Sequence, residues 1–347
     1  MKDIKQFILQ HKTASVVVAV TLLLCLVVLR RGSQFKHVLP IAETTVVYIP
    51  TGSSFQDLTD TLAANGCIDN VHAFKNVAKT RKLDRRVRSG RYELQPGMTL
   101  LKMVNKLRSG NQDAVRLTIN KHRTKEQFCT FLSSRLEFSA DTMLTLLDDT
   151  EVAQQYGFTP ETFLCMFVQN TYDIYWNCTP TQFLDRMKKE YDRFWNGMRR
   201  GQCSDLGLSQ QQVITLASIV EEETNQDHER AKIASVYLNR LRRDMPLQAD
   251  PTVKYAVGDF SLRRILGKHL EKESPYNTYK YKGLPPGPIC MPSIKSIDAV
   301  LSNLHTDYLF FCAKEDFSGS HNFAATSAEH MQNAQRFHQA MNQRGIK

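Results

Sequence analysis

The sequence has no CxxC pair, no glycine-rich phosphate loop and no Walker motif, and no stretch carries an RNA- or DNA-binding signature. Without paired cysteine spacing there is neither a zinc ribbon nor a disulfide framework to organise a fold. Without a phosphate loop, nucleotide-driven chemistry has no cradle. His228-Glu229 opens like a zinc-protease helix, but HERAK lacks the second histidine four residues on, so that reading is rejected. No Ser or Cys stands in a convincing nucleophile constellation. Of eight cysteines, Cys25 lies in an apolar run; Cys67, Cys129, Cys165, Cys178, Cys203, Cys290 and Cys312 remain, an odd number that reads as buried apolar thiols.

What is present suffices for two domains with separate cores: 347 residues, 42% hydrophobic and 23% charged. The formal charge of +10 favours anionic surroundings, although the basic residues are scattered, KHRTKE at 121–126 being a short exception. Thr13 to Leu29, TASVVVAVTLLLCLVVL, is uncharged and mostly apolar. As a helix it spans about 26 Å, slightly less than a hydrocarbon core of ~30 Å. Lys12 before it and Arg30-Arg31 after it can snorkel to the two interfaces. No small-x-small cleavage site follows, and Cys25 has no small residue before it for lipid attachment. The run reads as an uncleaved transmembrane anchor over 13–30, with a cytoplasmic tail at 1–12 and a polar tether at 31–43.

Beyond the tether, VVYI (46–49) reads as a strand stopped by Pro50-Thr51-Gly52. Ser53 or Ser54 can cap a helix over FQDLTDTLAANG, with Gly66 as its stop. Further helices are expected at 71–80 and 100–107, and strands at 91–94 and 114–119. This order makes a small α+β module over 44–120. Residues 121 to about 207 read as mainly helical. VQNTYDIYWNCTP (168–180) is rich in aromatics; Tyr172, Tyr175 and Trp176 could stack on sugars, but such spacing is commoner in a core.

Three consecutive acids, Glu221, Glu222 and Glu223, follow LASIV. Ser209 is a fair N-cap for a helix over 208–224, and Val213, Leu216, Ala217, Val220 and Thr224 share one face at about 100° per residue. Glu222 falls opposite that stripe and is expected to be solvated. Glu221 and Glu223 fall about 80° either side of its centre. A carboxyl at the border of core and surface is partly desolvated, so it keeps a proton near neutral pH, as a general acid requires. The wheel does not choose between Glu221 and Glu223. Glutamates near a helix C-terminus also oppose the dipole, an unfavourable local choice of the kind that marks functional sites.

Several stretches resemble one family. IPTGSSFQDLTDTLAANGCI and SGRYELQPGMTLLKMVNKLRSG are similar to the LysM-like segment of the YceG-like proteins (MltG), the membrane-anchored endolytic murein transglycosylases. LASIVEEETNQDHERAKIASVYLNRLRRDMPLQADPTVKYAVG (216–258) resembles that family's A-S-I-x-E-K-E-T, V-x-x-N-R-L and L-Q-x-D-P-T-V-x-Y signature. YNTYKYKGLPPGPICMPS (276–293) and SHNFAATSAEH (320–330) resemble its later motifs. The likeness covers essentially the whole chain. It implies an α+β protein with a single N-terminal transmembrane helix, a small LysM-like module and a larger, mostly helical α+β catalytic domain over 121–347. In the family the catalytic glutamate is the second of the E-x-E pair, which falls on Glu223. Glu221 becomes a supporting residue, and Glu222 stands where many relatives have lysine, as if its charge did not matter. The chain departs from the family pattern at Gln169-Asn170, where a Pro-Asp pair is usual, and at Cys290-Met291.

Substrate contacts are expected from Glu221, Gln248, Asp250, Thr252, Asn277, Tyr279 and His321. Asp250 before Pro251 also suits a turn or cap. The Gly283–Pro288 loop could form a groove wall, and His330 reads as structural. The resemblance implies cleavage of the MurNAc–GlcNAc β-1,4 bond within glycan strands to leave 1,6-anhydroMurNAc ends. Neither a metal nor an organic cofactor is implied. The expected partners are peptidoglycan glycan strands, the membrane and the peptidoglycan synthesis machinery, with no nucleic acid. The implied location is the bacterial inner membrane, catalytic domain on the external face. A lysozyme-like hydrolase and a non-catalytic wall-binding scaffold are the competing readings.

Overall fold

The computed structural model describes residues 12–262 and 264–345. Its architecture is α+β, with helices predominating and three two-stranded antiparallel or paired sheets among the described residues. The chain divides into two compact units, residues 1–115 with 174–177, and residues 116–173 with 178–347.

The first unit begins with helix α1 (Lys12–Phe35). Val16, Val17, Val18, Val20 and Leu22 to Leu24 are exposed along it. The tail expected at 1–12 lies almost wholly outside the described residues, as do several side chains of the anchor expected at 13–30, among them 26–30. Among the described residues no helix is long and apolar enough to cross a membrane. Beyond α1, strand β1 (Thr45–Ile49) pairs antiparallel with β2 (Gly90–Leu94), Val47 opposite Tyr92. Helices α2 (Phe55–Ala64), α3 (Val71–Thr80) and α4 (Leu100–Ser109) complete a core that includes Leu58, Leu62, Phe74, Val77, Met103 and Leu107. Ser54 caps α2 by accepting from Asp57 N, while the Asp57 carboxylate accepts from Ser54 N. That reciprocal box satisfies two donors that the first turn leaves unpaired.

Strand β3 (Val115–Ile119), all but its first residue in the second unit, pairs with β4 (Asn170–Ile174), all but its last residue in that unit. The expectation of a mainly helical stretch fails at β4. The alternation of Thr171, Tyr172, Asp173 and Ile174 buries Tyr172 and Ile174 on one face, the period of a strand. Tyr172 donates to Val168 O at 2.6 Å and belongs to the core. Trp176 meets Tyr48 edge-on within the first unit, and Tyr175 is exposed.

Helices α5 (Lys125–Ser133), α6 (Ala140–Asp148), α7 (Thr150–Gln155), α8 (Pro180–Phe194) and α9 (Gly197–Leu206) lead to α10 (Gln210–Glu223). Then come α11 (Arg230–Arg242), α12 (Asp250–Val257), the short α13 (Gly267–Leu270) and α14 (Ile294–Leu301). The hairpin β5 (Phe310–Ala313) and β6 (His321–Ala324) precedes α15 (Ser327–Gln343). Helix α10 is central: α9, α11, α12 and α14 all pack on it. All the cysteines are free; Cys67, Cys129, Cys165, Cys203 and Cys290 are buried, Cys178 and Cys312 half-buried.

Candidate active site

Ser209 starts α10 by accepting from Gln212 N, and Gln212 returns the bond to Ser209 N. Every residue from Val213 to Val220 is buried. A helix apolar on all sides is a core helix, so the single apolar face assumed from the wheel does not describe it. The correction matters for the three glutamates at its C-terminus. Each meets a different neighbour.

Glu221 turns inward. Its Oε2 accepts from Arg230 Nη1 at 2.9 Å, Ser293 N at 3.2 Å, Ser293 Oγ at 2.6 Å and Ser296 Oγ at 2.6 Å. Ser293 is the N-cap of α14, so this carboxylate ties the end of α10 to the start of α14. That oxygen takes all four of these bonds from the protein itself.

Glu222 is not solvated, contrary to the wheel. Arg123 donates to it through Nε at 3.0 Å and Nη2 at 2.8 Å, and Lys121 Nζ lies 3.2 Å away. Burial alone would raise its pKa, but Arg123 and Lys121 outweigh burial and hold it below the ordinary carboxylate value. Its charge therefore does matter in this chain.

Glu223 is half-buried, and Tyr237 Oη donates to its Oε1 at 2.5 Å. Burial is the main cause that pushes its carboxyl up to about 7; the negative charges of Asp250 and Glu222 add to the rise, while the Tyr237 bond and Lys254 oppose it. The unpaired carbonyls at the end of α10 act in the same direction as burial. Such a group carries a proton for part of the time at neutral pH and can both give and take one.

The wall beside Glu223 is built by α12 and the loop before it. Asp250, the first residue of α12, accepts from Tyr279 Oη at 2.6 Å. Thr278 pins the loop: its carbonyl accepts from Gln248 N at 3.0 Å, and its Oγ1 accepts from Ala249 N at 3.0 Å. Thr252 and Thr278 share a hydroxyl contact at 2.8 Å, both buried. The pinning holds Gln248 at a φ of +51°, a left-handed conformation that costs a non-glycine residue. Gln248 is exposed, and its Oε1 accepts from the buried Arg240 at 3.3 Å.

The sequence-expected contacts thus separate. Glu223, Asp250 and Tyr279 come together with Lys254, and Gln248 stays open at the loop. Thr252 and Asn277 are fully buried and serve the scaffold; Asn277 Nδ2 donates to the carbonyls of Leu270 and Lys272, both at 2.9 Å. His321 is held by Glu229, Nδ1 to Oε2 at 2.9 Å and backbone N to Oε1 at 2.9 Å. Its ring meets Phe311 edge-on, and Phe311 in turn meets Tyr237, so His321 stands behind the site. The Gly283–Pro286 loop lines a cavity of about 640 Å³ with Ser209 and Gln212, at the opposite end of α10 from Glu223. Gln169 donates to Met291 O at 2.6 Å and Cys290 is buried against Ser218 O, so both departures from the family pattern are absorbed by packing. His330 stacks on Phe310. Among the described residues no group of three His, Cys, Asp or Glu could hold a metal ion.

Tyr237, Lys254 and Arg240 were missed in sequence. Tyr237 lies on the buried face of α11, and a tyrosine placed there needs a partner for its hydroxyl. That need was the available signal.

A half-buried carboxyl raised to about 7 thus stands on an α+β scaffold with a second carboxylate and tyrosines beside it. Residues 47–336 match the YceG-like family, and the chain belongs to it. A curated relative from Bacillus subtilis (strain 168), named endolytic murein transglycosylase, is 32% identical over 87% of this chain and 88% of its own length. One of the same name from Streptococcus pneumoniae (strain ATCC BAA-255 / R6) is 27% identical over 85% of this chain, which spans 60% of that relative. The crystal structure of a yceG-like protein from Listeria monocytogenes superposes with a TM-score of 0.57 at 31% identity, covering 84% of this chain and 99% of that one.

Proposed function

We propose that this chain is an endolytic murein transglycosylase that cleaves the MurNAc–GlcNAc β-1,4 bond inside peptidoglycan strands, with Glu223 as its acid/base. The observation that carries the reading is the Glu223 carboxyl, raised to about 7 at a half-buried helix end and flanked by Asp250 and Lys254. The names of the relatives give the substrate class. Protonated Glu223 gives its proton to the glycosidic oxygen as positive charge develops at C1 of MurNAc. The resulting carboxylate takes the proton of the MurNAc C6 hydroxyl, whose oxygen closes on C1 to form the 1,6-anhydro ring. Because the nucleophile belongs to the substrate, one carboxyl serves both halves. Gln248, Asp250 and Tyr279 provide polar groups for sugar hydroxyls on the same wall.

The remaining assignments rest on the same proposal. Residues 44–120 form the LysM-like module and 121–347 the catalytic domain. The apolar, exposed run in α1 supports a membrane anchor over 13–30, with 31–43 as tether and the catalytic domain on the external face of the inner membrane. Anchoring would confine cutting to glycan near the membrane, close to the synthesis machinery.

Asp250 acts on Glu223 strongly enough to shift it, which gives a lysozyme-like hydrolase its second carboxylate. Digestion of murein sacculi separates the two: the transglycosylase leaves 1,6-anhydroMurNAc ends, whereas reducing ends without anhydro-sugar would overturn the proposal. Mass spectrometry of the released muropeptides reads this directly.

A further inference from the structure

Tyr237 has no role in the reaction described so far. It is 2% exposed, and its ring is set edge-on against Phe311, centroids 5.9 Å apart at 87°. The bond to Glu223 Oε1 is its hydroxyl's hydrogen bond. Burial, followed by the nearby Glu223 charge, pushes the phenol well above its ordinary value, so it stays a protonated donor through the pH range in which Glu223 titrates. Its one proton points to Oε1, and Oε1 must meet it with a lone pair. Moving the carboxyl proton onto Oε1 would turn that oxygen into a hydroxyl, a weaker acceptor for the phenol hydrogen than a carbonyl oxygen, so the bond favours the proton on Oε2. Among the described residues the hydrogen bond to this carboxyl is the one from Tyr237, and it falls on Oε1. The charged and titratable groups facing this pair are Asp250 and Lys254 from α12, Glu222 from α10 itself, Arg240 from α11, and Tyr279.

We propose that Tyr237 is a positioning residue that confines the Glu223 proton to Oε2, so that this one oxygen performs both proton transfers. The inference rests on the transglycosylase reading above. In the first half the Oε2 proton goes to the glycosidic oxygen, the C1–O bond breaks and its electron pair stays with the departing GlcNAc oxygen. In the second, the C6 oxygen bonds to C1 and its proton returns to Oε2. The protein ends as it began, and no water is consumed. Oε1 keeps its bond to Tyr237 throughout, which holds the carboxyl plane fixed between the two steps and limits the loss of time in reorientation.

The test is Tyr237→Phe in the full chain in detergent micelles. The substitution preserves the ring against Phe311 and removes only the hydroxyl. The expected result is a fall in kcat of about tenfold with KM little changed, and an alkaline limb of the pH–rate profile moved upward by roughly one pH unit. A carbon-13 titration of the Glu223 carboxyl, read without substrate, moves by the same amount. Phe311→Leu is the packing control: it loosens the ring but keeps the hydroxyl, and its alkaline limb stays at the wild-type position. A Tyr237→Phe protein with wild-type kcat and an unmoved carboxyl titration overturns the proposal, as does a Phe311→Leu protein that shifts both equally. The carboxyl titration reports the Tyr237 bond whatever the reaction, so failure of the transglycosylase reading is detected separately, by the muropeptide products.

Discussion

Arg123 grips Glu222 through two parallel hydrogen bonds, Nε to Oε1 at 3.0 Å and Nη2 to Oε2 at 2.8 Å. The pair joins the loop after β3 to the end of the helix that carries Glu223, with Lys121 as a second cation on the same carboxylate. Forked pairs of this kind are stronger than single-point ion pairs.

Arg123→Met is expected to lower stability by about 2 kcal/mol at pH 7. Glu222 is held below its unfolded value, so its contribution is complete above the ordinary carboxylate pKa and disappears as pH falls through the lower folded value. The deficit of the variant should therefore shrink in acid. Urea unfolding at pH 7 and at pH 3.5 checks this; equal deficits at both would contradict it.

Glu221→Gln should damage the fold more than the chemistry. It leaves Arg230, side chain 9% exposed, without its buried carboxylate partner and weakens the tie to Ser293 and Ser296. A loss of about 3 kcal/mol is expected. Well below the melting temperature the variant should retain kcat within a few-fold. A large kcat loss in a fully folded sample would place Glu221 in the reaction instead.

Asp250 and Lys254 push Glu223 in opposite directions. Asp250→Asn removes a negative neighbour, so the alkaline limb of the pH–rate profile should move down. Lys254→Met removes a positive one, and the limb should move up. Finding both variants displaced the same way would show that something other than charge governs the site.

Glu223 itself should be a stability liability at high pH. Its folded carboxyl titrates near 7, above the ordinary value of 4.5, so the stability it contributes is fully present below 4.5 and is lost as pH rises through about 7. Glu223→Gln, whose amide oxygen can still accept from Tyr237, should match the wild type at pH 4 and exceed it by about 3 kcal/mol at pH 8. Thermal melts across that range read the difference.

The elements that local chemistry dictates were legible in the sequence. Val71–Thr80 forms the expected helix, Ser209 caps α10, and the odd cysteines are unpaired thiols. What was not legible depends on neighbours distant in the chain. A helical wheel treats α10 as resting on one surface, but four helices enclose it, and Arg123 arrives from 99 residues away to claim Glu222. Thr252 and Asn277 looked like ligand residues because they are polar and sit in loops. Their partners are Thr278 and two backbone carbonyls, which no spacing rule reveals. Tyr237 lies on the buried face of α11, and nothing local in the chain marks Glu223 as the partner of its hydroxyl.

The central claim is that one carboxyl does the chemistry, and Glu223→Gln tests it most directly. The purified full-length variant, incubated with murein sacculi at the pH optimum of the wild type, should bind the polymer and release no 1,6-anhydro muropeptides above background. Release at the wild-type rate would show that the acid/base lies elsewhere.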